Sequence, residues 1–357
     1  MLEDFFVHNP FELTKSEKEG LLFKRLQSLT ELHRSNCTAY SNFLDALNCD
    51  RFNQIEDIPF LPVRVFKEMD LLSIDRKAVF KTMTSSGTTG QRPSKIFIDK
   101  ETAMCQQKVM TRILSDYWGN KRLPLVIIDS PAVLKDRAAF AARGAAVSGL
   151  MFIAKETVYC LNEDMSLNTE VLDAFLQKYA GQKIILFGFT FMVWQHFYKE
   201  LLQSPKKYDF SNAFLMTGGG WKKMEADKVS REEFKSSLKA VCGISHFIDH
   251  YGMVEQVGAI YTECEYGHLH SSIFSDVIVR NYENFSPCKI GEKGIIQVLS
   301  SIPQSYPGHS LLTEDEGMIV GEDDCPCGRK GKYIKVLGRI KNAELRGCSD
   351  TYASKFN

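Results

Sequence analysis

The chain has 357 residues, of which 44% are hydrophobic and 25% charged, so it can bury a large core in one large domain or two closely joined ones. Lysine and arginine number 44 together, and so do aspartate and glutamate. This balance excludes a global electrostatic field that would direct the protein to nucleic acid or to an anionic membrane surface, so partners are selected at local sites.

The N-terminus and the cysteine content bear on the compartment. Residues 1–13 are acidic and aromatic, without the basic start and apolar run of a secretory signal. The longest uncharged apolar run, Ile184 to Trp194, is too short for a bilayer span and predicts a buried strand that continues into a loop. Ten cysteines predict free thiols, with metal-binding or catalytic use at a few positions, rather than a disulfide framework. We therefore expect a cytoplasmic protein with no membrane span.

Helical and extended patterns follow one another along the chain. Apolar residues recur at helical spacing from Leu21 to Leu32, which predicts a helical lead-in over residues 1–57. Over residues 58–270, short apolar runs alternate with helix-like segments, which predicts an α/β core with a mostly parallel sheet and ligands at the carboxyl ends of its strands. The runs are Leu125–Asp129, Lys183–Phe187, Ala213–Met216 and Phe247–Asp249.

The pattern changes after residue 270. Residues 271–337 predict a smaller, more antiparallel β region that completes the core. Its predicted strands are Asp276–Arg280, Gly294–Val298 and Gly317–Val320.

The segment from Thr84 to Lys95 combines hydroxyl residues with two glycines and two following cations. Glycine lets backbone amides approach an anion, hydroxyls add donors, and Arg92 and Lys95 offset phosphate charge. The segment therefore predicts a phosphate-binding loop, with a flexible surface turn as the alternative. Its spacing is not that of the P-loop of NTPases, which needs Gly-x-x-x-x-Gly-Lys-Ser/Thr.

The sequence Ser85-Ser-Gly-Thr-Thr-Gly90 of this loop resembles the signature loop of the adenylate-forming superfamily. That superfamily includes acyl-CoA synthetases, luciferases and phenylacetate-CoA ligases. Proline and lysine follow the last glycine after one residue in typical members, whereas Pro93 and Lys95 are each displaced here. The resemblance implies the large-domain fold of that superfamily, with ATP and Mg²⁺ as cofactors and Lys95 as a catalytic residue. It also implies nucleotide contacts by Ser85, Ser86, Gly87, Thr88, Thr89 and Gly90.

Two further segments resemble the superfamily's nucleotide motifs. Thr217-Gly-Gly-Gly220 resembles the segment that lines the adenine pocket, which implies a nucleotide-binding role for Gly218, Gly219 and Gly220. Tyr251-Gly-Met-Val-Glu255 resembles a Tyr-Gly-x-Thr-Glu motif, with Val254 in place of the usual threonine. That resemblance implies that Tyr251 lies near adenine and that Glu255 is a catalytic residue that binds Mg²⁺. A plain strand-to-loop turn is the alternative for this second motif when it is taken alone.

Two more motifs follow in the expected order. Thr313-Glu-Asp315 resembles the Thr-Gly-Asp whose aspartate binds the ribose hydroxyls, which implies that role for Asp315. Gly338-Arg339 resembles the Gly-Arg of the hinge region, which implies a catalytic role for Arg339.

The C-terminal segment 338–357 is predicted to be a hinge-like stretch followed by a mobile tail that carries Cys348. Superfamily members that make acyl-CoA continue past the Gly-Arg motif into a mobile small domain with a catalytic lysine, and we expect most of that domain to be absent here. Residues 79–357, and the end of the chain above all, closely resemble the acyl-protein synthetases of bacterial bioluminescence. The position of Cys348 matches their acyl-carrying cysteine; an incidental free cysteine is the alternative.

This resemblance implies a function and its partners. A long-chain fatty acid would be activated by ATP to acyl-AMP and captured as a thioester on Cys348. The acyl group would then pass to an acyl-protein reductase that makes the aldehyde for bioluminescence, with a fatty-acid-supplying thioesterase as a further partner. A thiolate suits this role because it is a strong nucleophile and its thioester stays reactive. An acyl-CoA ligase of the phenylacetate-CoA ligase type and a non-catalytic nucleotide-binding subunit of a reductase complex are the rival functions.

A second cysteine pattern predicts a metal site. Cys325 and Cys327 flank one proline, and Cys264 precedes His268 and His270 by a few residues. Cys264, one imidazole, here assigned to His270, and the Cys325–Cys327 pair would provide a tetrahedral zinc site. Some phenylacetate-CoA ligase-like members resemble this set and carry structural zinc; unrelated surface thiols are the alternative.

An aromatic-rich region marks where an apolar tunnel for the acyl chain is expected, although aromatic residues at such density also form ordinary core. Its members are Phe187, Phe189, Phe191, Trp194 and Trp221.

Overall fold

A computed structural model describes residues 2–49, 52–85, 92–134, 143–221, 228–256, 258 and 260–340. The helices are α1 (Lys15–Asn36), α2 (Thr38–Ala46), α3 (Val65–Glu68), α4 (Lys100–Trp118), α5 (Ala145–Met151), α6 (Thr169–Lys178), α7 (Thr190–Met192), α8 (Lys199–Gln203) and α9 (Arg231–Cys242). The strands are β1 (Leu61–Pro62), β2 (Lys81–Thr84), β3 (Lys95–Ile98), β4 (Leu125–Ile127), β5 (Thr157–Tyr159), β6 (Ile184–Phe189), β7 (Ala213–Gly218), β8 (His246–Tyr251), β9 (Tyr261–Glu263), β10 (Leu269–His270), β11 (Ser275–Arg280), β12 (Lys293–Ser300), β13 (Ser310–Glu322) and β14 (Lys332–Arg339).

Contacts within the chain group it into two compact units. Unit 1 comprises Met1–Asp116, Gly252–Tyr261 and His268–Asn357. Unit 2 comprises Tyr117–Tyr251 and Thr262–Gly267. The boundaries expected after residues 57, 270 and 337 divide the sequence by pattern and stay predictions.

Unit 2 contains a parallel sheet with the strand order β5-β4-β6-β7-β8. Its central strands are buried along their length, as in sheets that are covered on both faces by helices. Because each predicted apolar run lies on one of these strands, the prediction of an α/β fold with a parallel sheet is confirmed. Parallel pairing also places the carboxyl ends of β7 and β8 side by side.

The predicted loop after β6 is wrong. The chain turns at Phe189 directly into α7, a π-helical turn (Val193–Tyr198) and α8. Thr190, Val193, Phe197 and Leu201 recur at helical spacing and are all buried, so this segment contributes an apolar helical face to the core. Because the run is apolar throughout, its sequence does not show the change from a strand period of two residues to a helix period of 3.6 residues.

Unit 1 contains an antiparallel sheet with the strand order β11-β12-β13-β14-β10, and β1 pairs with β13 in parallel. The prediction of a more antiparallel region after residue 270 is therefore confirmed. A separate antiparallel hairpin is formed by β2 and β3. Across the described part of the chain, none of the helices combines the length and apolarity that a membrane crossing requires. None of the nine cysteines in that part forms a disulfide.

Helix α1 is attached to the antiparallel sheet of unit 1 through a buried ion triplet. The carboxylate of Asp276 lies 3.5 Å from Lys18 Nζ and 3.1 Å from Lys332 Nζ. Burial alone would raise the pKa of Asp276, but the two ammonium groups outweigh burial and lower it. The carboxylate is therefore ionised where it holds α1.

Two stacked imidazoles form a second buried polar contact of α1. The rings of His33 and His309 lie 5.0 Å apart, and both side chains are buried. His33 Nδ1 is 2.8 Å from Ser73 Oγ, and His309 Nε2 is 2.9 Å from Thr30 Oγ1. Burial lowers the pKa of His33 to about 3 and lowers the pKa of His309 well below its usual value. Both imidazoles are thus neutral in the folded protein at pH 7.

The histidine pair predicts loss of stability in mild acid. The unfolded chain takes up protons at these imidazoles below about pH 6.5, whereas the folded chain does not, so the free energy of unfolding should fall as pH falls from 6.5 toward 3. Each histidine contributes a slope of up to about 1.4 kcal/mol per pH unit. Urea unfolding at several pH values should show a smaller slope for His33→Gln than for the native chain. Tyr40→Phe, which removes a hydroxyl 3.4 Å from His309 Nε2, is the control that should keep the native slope. Equal slopes for the native chain and His33→Gln would contradict this account.

Candidate active site and metal cluster

The predicted phosphate loop connects β2 to β3. At its base, Ser85 N donates to Ser94 O at 3.2 Å and Ser94 N donates to Ser85 Oγ at 2.9 Å. Lys95 is the first residue of β3, is exposed, and is paired with Thr84. The structure thus places Ser85 and Lys95 at the two ends of one hairpin loop. Ser86, Gly87, Thr88, Thr89 and Gly90 lie outside the described residues.

The backbone of Glu255 is fixed by its neighbours in unit 1. Its carbonyl oxygen accepts a hydrogen bond from Tyr306 Oη at 3.1 Å, and a Cβ on Gly308 would lie 3.0 Å from the same oxygen. The next residue, Gln256, donates to the carbonyl oxygens of Val298 and Gly308 at 2.9 and 3.2 Å. Glu255 is buried, and its carboxylate accepts no hydrogen bond from the residues that the structure describes. A carboxylate on a fixed backbone, without a hydrogen-bond donor of its own among those residues, is suited to bind a cation.

Antiparallel pairing brings two predicted motifs together. Asp315 on β13 is the direct partner of Arg339 on β14, with the register shift of a β-bulge just beyond them. Asp315 N donates to Thr313 Oγ1 at 3.1 Å, and Thr313 Oγ1 donates to Ile296 O at 2.8 Å. The hydroxyl of Thr313 therefore holds the backbone of its motif against β12, and Arg339 stays largely exposed opposite Asp315.

The glycine motif lies at the carboxyl end of β7. Gly219 has φ +70°, a left-handed conformation that favours glycine, and its carbonyl oxygen accepts a hydrogen bond from Thr190 Oγ1 at 2.9 Å. Gly218 has no room for a side chain, because a Cβ there would lie 2.2 Å from the His250 ring. Gly220 follows in open space. Tyr251 ends the neighbouring strand β8, so β7 and β8 bring Tyr251 and the three glycines to the same edge of the unit 2 sheet.

A buried ionic network that was not expected from the sequence lies beside these strand ends. Glu263 on β9 accepts hydrogen bonds from Arg231 Nη2 at 2.5 Å and from Lys235 Nζ at 2.9 Å. Burial alone would raise the pKa of Glu263, but the hydrogen bond and charge of Arg231 outweigh burial and lower it. Arg231 and Lys235 are spaced by four residues on α9, a spacing that could have indicated a shared anionic partner.

Three of the predicted metal ligands are brought together within unit 1. Ligand atoms of His270, Cys325 and Cys327 lie within 4.8 Å of one another, and the fourth predicted ligand, Cys264, belongs to unit 2. Two tight turns present them: Gly267 N donates to Cys264 O at 2.9 Å, and Gly328 N donates to Cys325 O at 3.0 Å. Zinc with Zn–S bonds of about 2.3 Å places tetrahedral ligand atoms about 3.8 Å apart, so the donor set fits this ion.

The surroundings of the cluster distinguish the two imidazoles. His270 Nε2 lies 3.4 Å from Cys327 Sγ, and its Nδ1 is buried without a hydrogen-bond partner among the described residues. Burial, Arg329 and His268 lower the pKa of His270 to about 4, so its ring is neutral, as a metal ligand must be. His268 Nδ1 instead lies 3.2 Å from Cys325 Sγ, a position from which it can orient that sulfur.

The aromatic region predicted for the acyl chain belongs to the core of unit 2. Trp194 and Trp221 are buried in that core, and Phe189 and Phe191 pack against it partly buried. Phe187 is buried on β6 but is not part of the same cluster. The rings of Trp194 and Trp221 pack edge to face with centroids 5.9 Å apart. These residues therefore contribute packing to the unit that carries the glycine motif. Cys348 lies outside the described residues.

Comparisons with solved structures identify the fold. A 2-hydroxyisobutyryl-CoA ligase, solved in an open conformation with 2-HIB-AMP and CoA, has a TM-score of 0.71 at 15% identity, covering 93% of this chain and 77% of that one. The amide bond synthetase McbA from Marinactinospora thermotolerans has a TM-score of 0.51 at 14% identity, covering 75% of this chain and 50% of that one. The likeness to these ligases confirms the predicted adenylate-forming fold.

Comparisons of sequence identify the family. A long-chain-fatty-acid–luciferin-component ligase from Vibrio harveyi is 22% identical over 369 residues, covering 98% of this chain and 92% of that ligase. A ligase of the same name from Aliivibrio fischeri is 24% identical over 359 residues, with the same two coverages of 98% and 92%. The sequence profile of the acyl-protein synthetase LuxE matches residues 2–357. The chain therefore belongs to the LuxE family of acyl-protein synthetases.

Proposed function

We propose that this protein activates a long-chain fatty acid with ATP and then carries the acyl group as a thioester on Cys348. The match of the LuxE profile to residues 2–357 carries the proposal. It is supported by the placement of the nucleotide motifs at strand ends and loop ends. The names of the relatives from Vibrio harveyi and Aliivibrio fischeri support a long-chain fatty acid as substrate.

In the first step a fatty carboxylate oxygen attacks the α-phosphorus of ATP. A bond forms between that oxygen and phosphorus, the bond to the β-phosphate oxygen breaks, and acyl-AMP and pyrophosphate result. Such steps depend on positioning and on neutralising charge. Ser85, the loop residues Ser86 to Gly90 and Lys95 would bind the phosphates, and Arg339 would act at the hinge.

The remaining predicted contacts are with adenine, with the ribose and with Mg²⁺. Gly218, Gly219, Gly220 and Tyr251 would contact adenine, and Asp315 would accept hydrogen bonds from the ribose hydroxyls. Glu255 would hold Mg²⁺, which when bound neutralises phosphate charge. Its backbone, which Tyr306 holds by a hydrogen bond, suits that role.

In the second step the Cys348 thiolate attacks the acyl carbonyl of acyl-AMP. A carbon–sulfur bond forms and AMP leaves with the electron pair of the broken anhydride bond. The thioester would then pass its acyl group to an acyl-protein reductase for aldehyde synthesis in bioluminescence, with a thioesterase supplying the fatty acid. A thioester suits such a relay because it remains reactive toward a second nucleophile.

The rival within the same chemistry is an acyl-CoA ligase. Its support is the shared fold of the 2-hydroxyisobutyryl-CoA ligase, whose structure holds CoA. Both functions begin with acyl-AMP, so they differ only in the thiol that accepts the acyl group. A non-catalytic nucleotide-binding subunit would lack the first step as well.

Cys348→Ser separates the two steps. The variant should exchange pyrophosphate as fast as the native chain, because activation needs only the nucleotide site. It should lose the label from radioactive myristate that the denatured native protein retains and that neutral hydroxylamine releases, because a serine hydroxyl is poorly ionised near neutral pH. Equal, hydroxylamine-sensitive labelling of both proteins would show that another cysteine carries the acyl group, with Cys288 and Cys242 as the next candidates. Unlabelled native protein that forms acyl-CoA rapidly when CoA is supplied would favour the ligase instead.

Gly87→Val tests the phosphate loop. A β-branched side chain blocks the close approach of backbone amides to phosphate, so pyrophosphate exchange should fall by about a hundredfold or more while the protein stays folded. Thr111→Val, on α4 and away from the loop in sequence, is the control. Native exchange in folded Gly87→Val would remove the loop from the nucleotide site.

Zinc is tested by metal content. Protein purified without chelator should contain about one equivalent of zinc per chain and should lose thermal stability when the metal is removed. Cys327→Ser should lower both zinc content and Tm, whereas Cys49→Ser, at a cysteine outside the predicted ligand set, should change neither. Native protein without zinc would contradict the predicted zinc site.

A further inference from the structure

The side chain of Glu263 joins α9 to β8 within unit 2. Its Oε2 accepts hydrogen bonds from Arg231 Nη2 on α9 and from the backbone nitrogen of Asp249 on β8 at 3.2 Å. Its Oε1 accepts from Lys235 Nζ. Glu263 is only 4% exposed, so these contacts are shielded from water, which makes them stronger than surface ion pairs.

The contacts continue from Arg231 back to Asp249 and close a ring. Arg231 Nη1 donates to Thr217 Oγ1 at 3.4 Å, and Thr217 Oγ1 donates to Asp249 Oδ1 at 3.4 Å. The same Asp249 oxygen accepts from His250 N at 2.9 Å. The ring therefore includes the residue before the glycine motif and the two residues before Tyr251.

The side chain of His250, on β8, contacts the backbone of the glycine motif at the end of β7. Its Nδ1 lies 2.8 Å from Thr217 O, and its ring occupies the place of a side chain on Gly218. A shift of the end of β8 along β7 would drive this ring into the Gly218 backbone. Interiors are close-packed, so such a shift also displaces the backbone at Gly219 and Gly220.

We propose that Glu263 is a positioning residue for nucleotide binding, acting through Arg231 and Asp249 on the backbone that presents Gly218–Gly220 and Tyr251. The inference rests on the proposed function, because it assigns those four residues to adenine. A buried glutamate with two cations adds little stability over apolar packing of the same size. It does fix where two strand ends lie, and that placement is what an adenine pocket needs.

The test is pyrophosphate exchange by the full chain, with ATP and myristate varied separately. Glu263→Gln keeps the shape of the side chain and removes its charge, so the KM for ATP should rise about tenfold, as loss of a charged hydrogen bond implies. The KM for myristate should change less than twofold. Lys206→Met breaks an exposed ion pair of the same unit, 2.6 Å from Asp173, and should change neither value. Equal effects of Glu263→Gln on both KM values, or none on either, would overturn the proposal.

A double substitution separates positioning from general destabilisation. If Glu263 acts through Tyr251, then Glu263→Gln should raise the KM for ATP much less in a Tyr251→Leu background than in the native one. Additive effects would contradict the proposal.

If Glu263→Gln fails to fold, Thr217→Val replaces it in the test. This variant breaks the ring at its weakest contacts and should also raise the KM for ATP alone. An inactive native chain would instead overturn the proposed function, and an active one in which Tyr251→Leu leaves the KM for ATP unchanged would remove adenine contact from Tyr251.

Discussion

The parallel pairing of β7 and β8 is the constraint on which the arrangement of unit 2 depends. In this pairing Thr217 lies opposite Asp249 and Gly218 opposite His250, so the two strands end level with each other. Parallel strands present their carboxyl ends at one edge, and loops at that edge are where α/β proteins place ligands. The glycine motif and Tyr251 are neighbours for this reason, although more than thirty residues separate them in sequence. The hydrogen bonds of Glu263 to α9 and β8 then restrict how far these two elements can shift at that edge.

In unit 1, strand register brings the predicted site residues together. Its sheet is antiparallel, so register rather than strand direction brings Asp315 opposite Arg339. The N-terminal helix α1 is held to this unit by buried polar groups, the ion triplet of Asp276 and the stacked imidazoles of His33 and His309. Such groups add less net stability than apolar packing, but each is satisfied in only one arrangement of its neighbours. They specify where α1 docks.

Local patterns in the sequence predicted most of the fold and part of the site. The run Leu125–Asp129 contains β4, and Ala213–Met216 lies within β7, because short apolar runs between turns have few alternatives to buried strands. The proximity of His270, Cys325 and Cys327 could be predicted because a cysteine pair and a histidine pair at short spacing are typical of a metal site. The helix after Phe189 was missed because a run that is apolar throughout has no visible period. The pair formed by Arg231 and Glu263 was missed because its partners lie 32 residues apart, and the spacing of Arg231 and Lys235 does not identify which acidic residue they share.

The choice of acyl acceptor is separate from the fold that activates the acid. A 2-hydroxyisobutyryl-CoA ligase, whose structure holds CoA, shares this fold at a TM-score of 0.71. A thiol on the same chain reaches the anhydride at an effective concentration of the order of millimolar without a binding site of its own. A free thiol such as CoA must instead be bound, which requires a surface that recognises the rest of the molecule. An enzyme of this fold can therefore change acceptor without altering its nucleotide motifs, provided that a cysteine such as Cys348 reaches the acyl-adenylate.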